Sequence, residues 1–317
     1  MSISILRRRR NEIQARPGSG GWSRRFPLAY RLLIPIALFE GLFVLFPIIR
    51  GITMAFQFTR GGITYWVGLA NFADMLHDPT FWGSIRVTFE FALCMIVIWL
   101  MFGVLLALLM NWSFKGRGLV RALLAIPWAI PDVPIVLTFV IMLDPNVGVI
   151  NLFASWIPGV HHQIPWLSSP KLAFFAIVIM AGWKGLPFYA LILLASLQSI
   201  PSELYEAARV DGAKAWGRFR AVTVPGLTPT AALLVILAFI FAIQQFSMIY
   251  LTTGGGPGFD TATISVLIYL QAFEFFNYNY AAALAVAGLV MSVAGTTLFV
   301  VLDRTVLRRQ YFEGRTA

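Results

Sequence analysis

Six apolar runs, each close to twenty residues or longer, set the terms for this chain. A run of that length crosses about 30 Å of hydrocarbon as a helix. Read by window hydropathy, the runs fall at roughly 30–54, 84–110, 120–143, 172–197, 226–249 and 281–302. Of the 317 residues 59% are hydrophobic and 12% charged, about half the charge of an average soluble domain. Too little polar sequence remains to coat the runs in water. An all-α integral membrane protein with six transmembrane helices is expected.

Orientation follows from the basic residues, because cytoplasmic loops retain Lys and Arg. Nineteen of the 24 lie in or beside the arm 1–29, the loops 111–119 and 198–225, and the tail after 303. Arg50, Arg60, Arg86 and Lys171 are in or near the connections of the other side. Both termini and the 198–225 segment are therefore expected in the cytoplasm. The net charge of +10 is then a topology signal, and no nucleic-acid partner is expected. The layout reads as a basic, disordered arm over 1–29, a six-span domain over 30–303 and a tail over 304–317. Arg7 to Arg10 has the look of a signal n-region. The run from Leu32 to Ile49 is nevertheless longer than an h-region and lacks a small-x-small cleavage site, so a retained anchor is expected.

Other chemistries find little support. Cys94 lies in an apolar run and reads as a packed hydrophobe. His161 and His162 have no acidic cluster beside them and read as loop residues. The Gly-rich Thr252–Gly258 segment lacks the Gly-Lys-Ser/Thr ending of a P-loop, and no strand precedes it. No Ser-His-Asp, Cys-His or paired-carboxylate arrangement stands out, so the chain is expected not to be an enzyme, to bind no metal and to hold no cofactor of its own.

Between the fourth and fifth runs lies a hydrophilic island, Glu203-Leu-Tyr-Glu-Ala-Ala-Arg-Val-Asp-Gly-Ala-Lys-Ala-Trp-Gly-Arg-Phe-Arg220, closing on Val-Thr-Val-Pro225. Pro201 and Ser202 suit a helix start, with serine as the cap. Glu203 and Glu206 complement the helix dipole, and Ala207 and Ala208 let another backbone approach closely. Gly212 permits a left-handed residue and a change of direction, and Asp211 is placed to cap a second short helix from Ala213 to Arg220. One reading is an interfacial amphipathic helix anchored by Trp216. Leu204, Ala207, Ala208 and Val210 make no wide apolar stripe, so a docking knob for a soluble partner fits better.

The island resembles the EAA loop of permease subunits of binding-protein-dependent ABC importers, matching at the glutamate, both alanines, the glycine and the final proline. Val222 and Val224 stand where isoleucine and leucine are more usual. Gly182-Trp-Lys-Gly-Leu-Pro-Phe188, the run Leu197-Gln-Ser-Ile-Pro201, Phe246–Pro257 with Thr261-Ala-Thr263, and Trp66–Phe72 are similar to segments of the maltose and glycerol-phosphate group. The resemblance covers about 30–303. It implies a type I importer permease fold in the cytoplasmic membrane of a bacterium or archaeon. It also implies a second permease subunit, a cytoplasmic ATPase dimer that binds ATP and Mg, and an extracytoplasmic solute-binding protein. Glu203, Glu206, Ala207, Ala208, Asp211 and Gly212 would form the ATPase-coupling surface, and the solute would be a carbohydrate or sugar-like molecule.

Ionisable groups within spans are costly and mark pathways or structural pairs. Lys184 lies near the middle of the fourth run, Glu40 near the middle of the first, and Glu90 nearer the outer surface. Glu40 is the main support for a different class, an ion-coupled secondary carrier; a non-transporting scaffold would need no pathway at all. Sugar pathways combine aromatic faces with amide or hydroxyl partners, so the candidates are Trp183, Lys184, Gln244, Gln245, Phe246 and Tyr250. On a continuous helix Gln244 and Gln245 point about 100° apart, so one of them is expected to face the pathway.

Overall fold

A computed structural model describes Tyr30 and residues 33–157 and 163–313, with side chains to Val301. The arm 1–29, His161, His162 and residues 314–317 lie outside the described residues. The chain divides into two compact units, with the boundary in sequence between Thr53 and Met54. The first contains most of an apolar helix, α1 (Leu33–Ala55), which carries a π turn at Gly41–Leu45. Glu40 is exposed on it, just before that turn.

The second unit opens with a hairpin of β1 (Gln57–Arg60) and β2 (Ile63–Trp66) across the Gly61-Gly62 turn. Aromatic and β-branched residues around two glycines favour this pairing, which the all-helical expectation lacked. A short α2 (Ala70–His77) follows, tied back by Asn71, whose Nδ2 donates to the carbonyls of Ala55 and Gln57 at 2.8 Å each. The long α3 (Pro79–Asn111) starts five residues earlier than hydropathy predicts. Asp78 caps it by accepting from the Thr80 amide at 2.8 Å, with Pro79 in the first turn.

The third predicted span, 120–143, is not one helix. It is α4 (Arg117–Ala129) and α5 (Asp132–Met142), bent by 91°. Pro131 has no amide hydrogen and disfavours the helical region for the residue before it; Ile130 sits at φ −76°, ψ 134°. After a short α6 (Val149–Ala154) comes α7 (Pro170–Gln198), then the pair α8 (Ser202–Val210) and α9 (Ala215–Arg218). A π turn, Phe219–Thr223, leads into α10 (Val224–Gln244). The chain ends through α11 (Ser247–Thr253), α12 (Ile264–Tyr269) and α13 (Tyr278–Glu313). Five helices among the described residues are long and apolar enough to cross a membrane, six if α4 and α5 form one broken span.

The core lies where α3 packs on α7, with Phe91, Met95, Ile177, Met180 and Leu193 all at most 1% exposed. Several polar groups inside it are paired, as a hydrocarbon surrounding favours. The Ile264 amide donates to Thr88 Oγ1 at 2.9 Å, and the hydroxyls of Ser196 on α7 and Thr230 on α10 lie 2.8 Å apart. Arg121 on α4 donates to the Met110 carbonyl in the last turn of α3 at 2.8 Å, a favourable place for a cation.

Candidate functional site: an ion-paired cavity and an exposed helix pair

Residues 181, 184, 185 and 188 recur at helical spacing, so Ala181, Lys184, Gly185 and Phe188 share one face of α7. That face borders a cavity of about 150 Å³ between α3, α4, α5, α7, α10 and α11. Lys184 Nζ lies 2.9 Å from Asp132 Oδ1, the first residue of α5, so the break at Pro131 delivers a carboxylate to the lysine. The pair is partly exposed to the cavity, at 16% and 33% for the two side chains.

The walls are aromatic. Trp99 stacks on Tyr189 at 4.6 Å between ring centroids, and Trp128 on Phe188 at 5.7 Å. Trp99 Nε1 donates to the Gly182 carbonyl at 3.1 Å. Gly185 permits this close approach, since a Cβ there would lie 2.6 Å from the Trp99 ring. The Tyr189 hydroxyl is buried beside the cavity and finds no hydrogen-bond partner among the described residues; an unpaired buried hydroxyl costs free energy that a ligand hydroxyl can recover.

Of the sequence-predicted pathway residues, the structure brings Lys184 and Gln245 together in this cavity. The helix ends at Gln244 and Gln245 is extended at φ −67°, ψ 109°, so the expected 100° relation between the two glutamines does not apply. Gln244 is exposed instead. Trp183 is one step round α7 and packs on Phe139, 5.7 Å away, outside the cavity lining. Phe246 and Tyr250 stack on each other at 5.0 Å, the tilted ring of Tyr269 lies 4.8 and 4.6 Å from them, and the Tyr250 hydroxyl donates to Glu274 at 2.9 Å. Asp132, Trp99, Trp128 and Tyr189 escaped the sequence reading. Asp132 carried a signal: a carboxylate inside an apolar run, directly after a proline, calls for a cationic partner.

The second feature is the α8–α9 pair. Its first helix ends in a Schellman motif: Gly212 adopts φ +78°, its amide donates to Arg209 O at 3.1 Å, and the Ala213 amide reaches Ala208 O at 2.9 Å. Ser202 is the first helical residue and makes no cap, Asp211 closes α8 rather than opening α9, and α9 is shorter than predicted at Ala215–Arg218. The Tyr205 hydroxyl lies 3.0 Å from Thr223 Oγ1, which holds α8 against the π turn. Glu203, Glu206, Ala207, Asp211 and Gly212 are exposed and Ala208 is half-buried. Val210 is 88% and Trp216 71% exposed.

A multi-pass helical protein with a broken span, a polar cavity between its helices and a projecting polar helix pair has the build of a membrane transport subunit. The chain belongs to the family of binding-protein-dependent transport system inner membrane components, whose family model matches residues 99–309. It is 35% identical over 289 residues to a trehalose/maltose transport system permease protein of Thermococcus litoralis, covering 89% of this chain and 95% of that one. It is 36% identical to a sulfoquinovosyl glycerol transport system permease protein of Agrobacterium fabrum, covering 88% and 91%. Among solved structures, a bacterial ABC transporter importing the acidic polysaccharide alginate matches with a TM-score of 0.79 at 28% identity, over 89% of this chain and 97% of that one. The protein is thus an ABC importer permease, and the expected fold holds apart from the hairpin and the bent third span.

Proposed function

We propose that this chain is one of two permease subunits of an ATP-driven importer for a carbohydrate, working with an extracytoplasmic binding protein and a cytoplasmic ATPase dimer that holds ATP and Mg. The observation that carries this reading is the α8–α9 pair. A polar, glycine-hinged element that leaves Val210 and Trp216 uncovered is a surface built for another protein. Glu203, Glu206 and Asp211 supply charge on it, and Ala207, Ala208 and Gly212 supply close approach. Both termini and this pair lie in the cytoplasm in this scheme, consistent with the distribution of Lys and Arg.

Closure of the ATPase dimer would move the pair as a lever and shift the spans between inward-open and outward-open states. The stacked aromatic walls, Gln245, the Tyr189 hydroxyl and the Lys184–Asp132 pair suit a ring with apolar faces and hydroxyl edges. Relatives named for trehalose/maltose and sulfoquinovosyl glycerol, and the alginate importer, support the carbohydrate class. The exposed Glu40 of α1 has no partner role in this mechanism.

Mild extraction of the tagged chain from its native membrane, with identification of co-purifying proteins, tests the assembly. An ATPase, a second permease and a solute-binding protein are expected. Recovery of this chain alone, under conditions that preserve other membrane complexes, would contradict the reading.

A further inference from the structure

We infer that Asp132 sets the charge selectivity of the cavity, so that it admits uncharged carbohydrates and turns away those bearing a carboxylate or sulfonate. The inference rests on the carbohydrate reading above and names the subclass of solute. The relatives include a transporter of an acidic polysaccharide as well as a permease named for trehalose and maltose. Family membership therefore leaves the charge of the solute open, and the cavity has to decide it.

Lys184 and Asp132 are the oppositely charged groups among the lining residues, and they lie 2.9 Å apart. Lys184 alone, set among Trp99, Trp128, Phe188 and the unpartnered Tyr189 hydroxyl, would make an anion site. Asp132 cancels that charge. An incoming carboxylate or sulfonate would meet the aspartate at close range beside aromatic walls that displace water, where like charges repel. A neutral sugar hydroxyl faces no such barrier: it can donate to Asp132 and accept from Lys184 while the pair stays together. The position is also fixed by backbone chemistry. Pro131 ends α4, turns the chain by 91° and makes Asp132 the first residue of α5.

The test is equilibrium binding of radiolabelled maltose and trehalose to the complete transporter in nanodiscs, without the binding protein, competed by each sugar and by its singly C6-oxidised uronic form. In the wild type the oxidised form is expected to compete at least about tenfold more weakly. In Asp132→Asn the ratio should fall to unity or invert, because Lys184 is then uncompensated. The double variant Asp132→Asn/Lys184→Gln, with neither charge, should lose any preference for the oxidised form that Asp132→Asn gains, an outcome that loss of a structural tie would not produce. An unchanged ratio in an intact Asp132→Asn complex would overturn the inference and leave the carbohydrate reading standing. Should that variant fail to assemble, the wild type still decides, since equal competition by oxidised and unoxidised sugar overturns it. Binding of neither sugar by an intact wild-type complex would overturn the inference for these sugars, while the carbohydrate reading is decided separately by the co-purifying binding protein and its ligand.

Discussion

The cavity and the α8–α9 pair answer the same problem, a polar group in a mostly apolar chain, in opposite ways. In the cavity nearly every polar or aromatic side chain has an internal partner: Lys184 has Asp132, Trp99 has both Tyr189 and the Gly182 carbonyl, Trp128 has Phe188. In the helix pair the backbone is carefully closed by the Schellman bonds while the side chains point outward with apolar Val210 and Trp216 uncovered. A region whose charges are paired within the fold, with one hydroxyl left open, suits a small ligand. A region whose backbone is finished and whose surface is not is waiting for a partner chain. Damage to the first should therefore register in this subunit, and damage to the second only in the assembly.

The sharpest way to break that contrast is Gly212→Asp. A Cβ at Gly212 meets nothing within 4 Å, so the chain itself has room for the new side chain. The left-handed backbone adds about 1 kcal/mol of strain, eased for aspartate. Uptake should fall below detection while the amount of chain in the membrane is unchanged; transport at the wild-type rate would sink the coupling assignment. Gly185→Leu is the counterpart in the cavity. Its side chain must displace the Trp99 ring, with an overpacking cost of about 1–3 kcal/mol. It should lower the thermal midpoint of the purified subunit as well as uptake, whereas Gly212→Asp leaves that midpoint nearly in place. Equal midpoints for the two variants would erase the distinction.

Gln245→Ala is milder. Removing one hydrogen-bonding amide from the cavity should weaken apparent uptake affinity about five- to tenfold, by the usual worth of one such bond. Gln244→Ala, on the exposed neighbour, should change nothing in the same titration. The smallest effect belongs to the surface turn at Asp144. Its carboxylate accepts from the amides of Val147 and Asn146, which hold its pKa below the ordinary aspartate value. A depressed folded pKa contributes stability above the unfolded value and loses it as pH falls through the folded one. Amide exchange at Asn146 and Val147 should therefore speed up only on acidification below the normal aspartate range, and Asp144→Asn should remove the pH dependence.

Much of this was legible in the sequence, and the misses share a cause. The long spans follow from apolar length, and the turn at Gly212 follows from one glycine after a polar helix. Lys184 could be singled out because a lysine in mid-span is costly wherever it lies. Its partner could not be assigned, because the pairing of Asp132 with Lys184 is a tertiary fact created by the bend at Pro131, and hydropathy averages over such a bend. The end of α10 at Gln244 was missed for the same reason: no proline or glycine marks it, and Gln-Gln-Phe-Ser reads as continuing helix. The Gly61-Gly62 hairpin lay in a connection where helix periodicity was the wrong template.

The most direct test of the whole account is uptake of labelled maltose and trehalose by proteoliposomes holding the purified complex. ATP would be enclosed on the side of the α8–α9 pair and the binding protein added on the other. Accumulation that needs both ATP and the binding protein, and that survives a protonophore, is the predicted result. Uptake by this chain alone, driven by a proton gradient and abolished by Glu40→Gln, would contradict it.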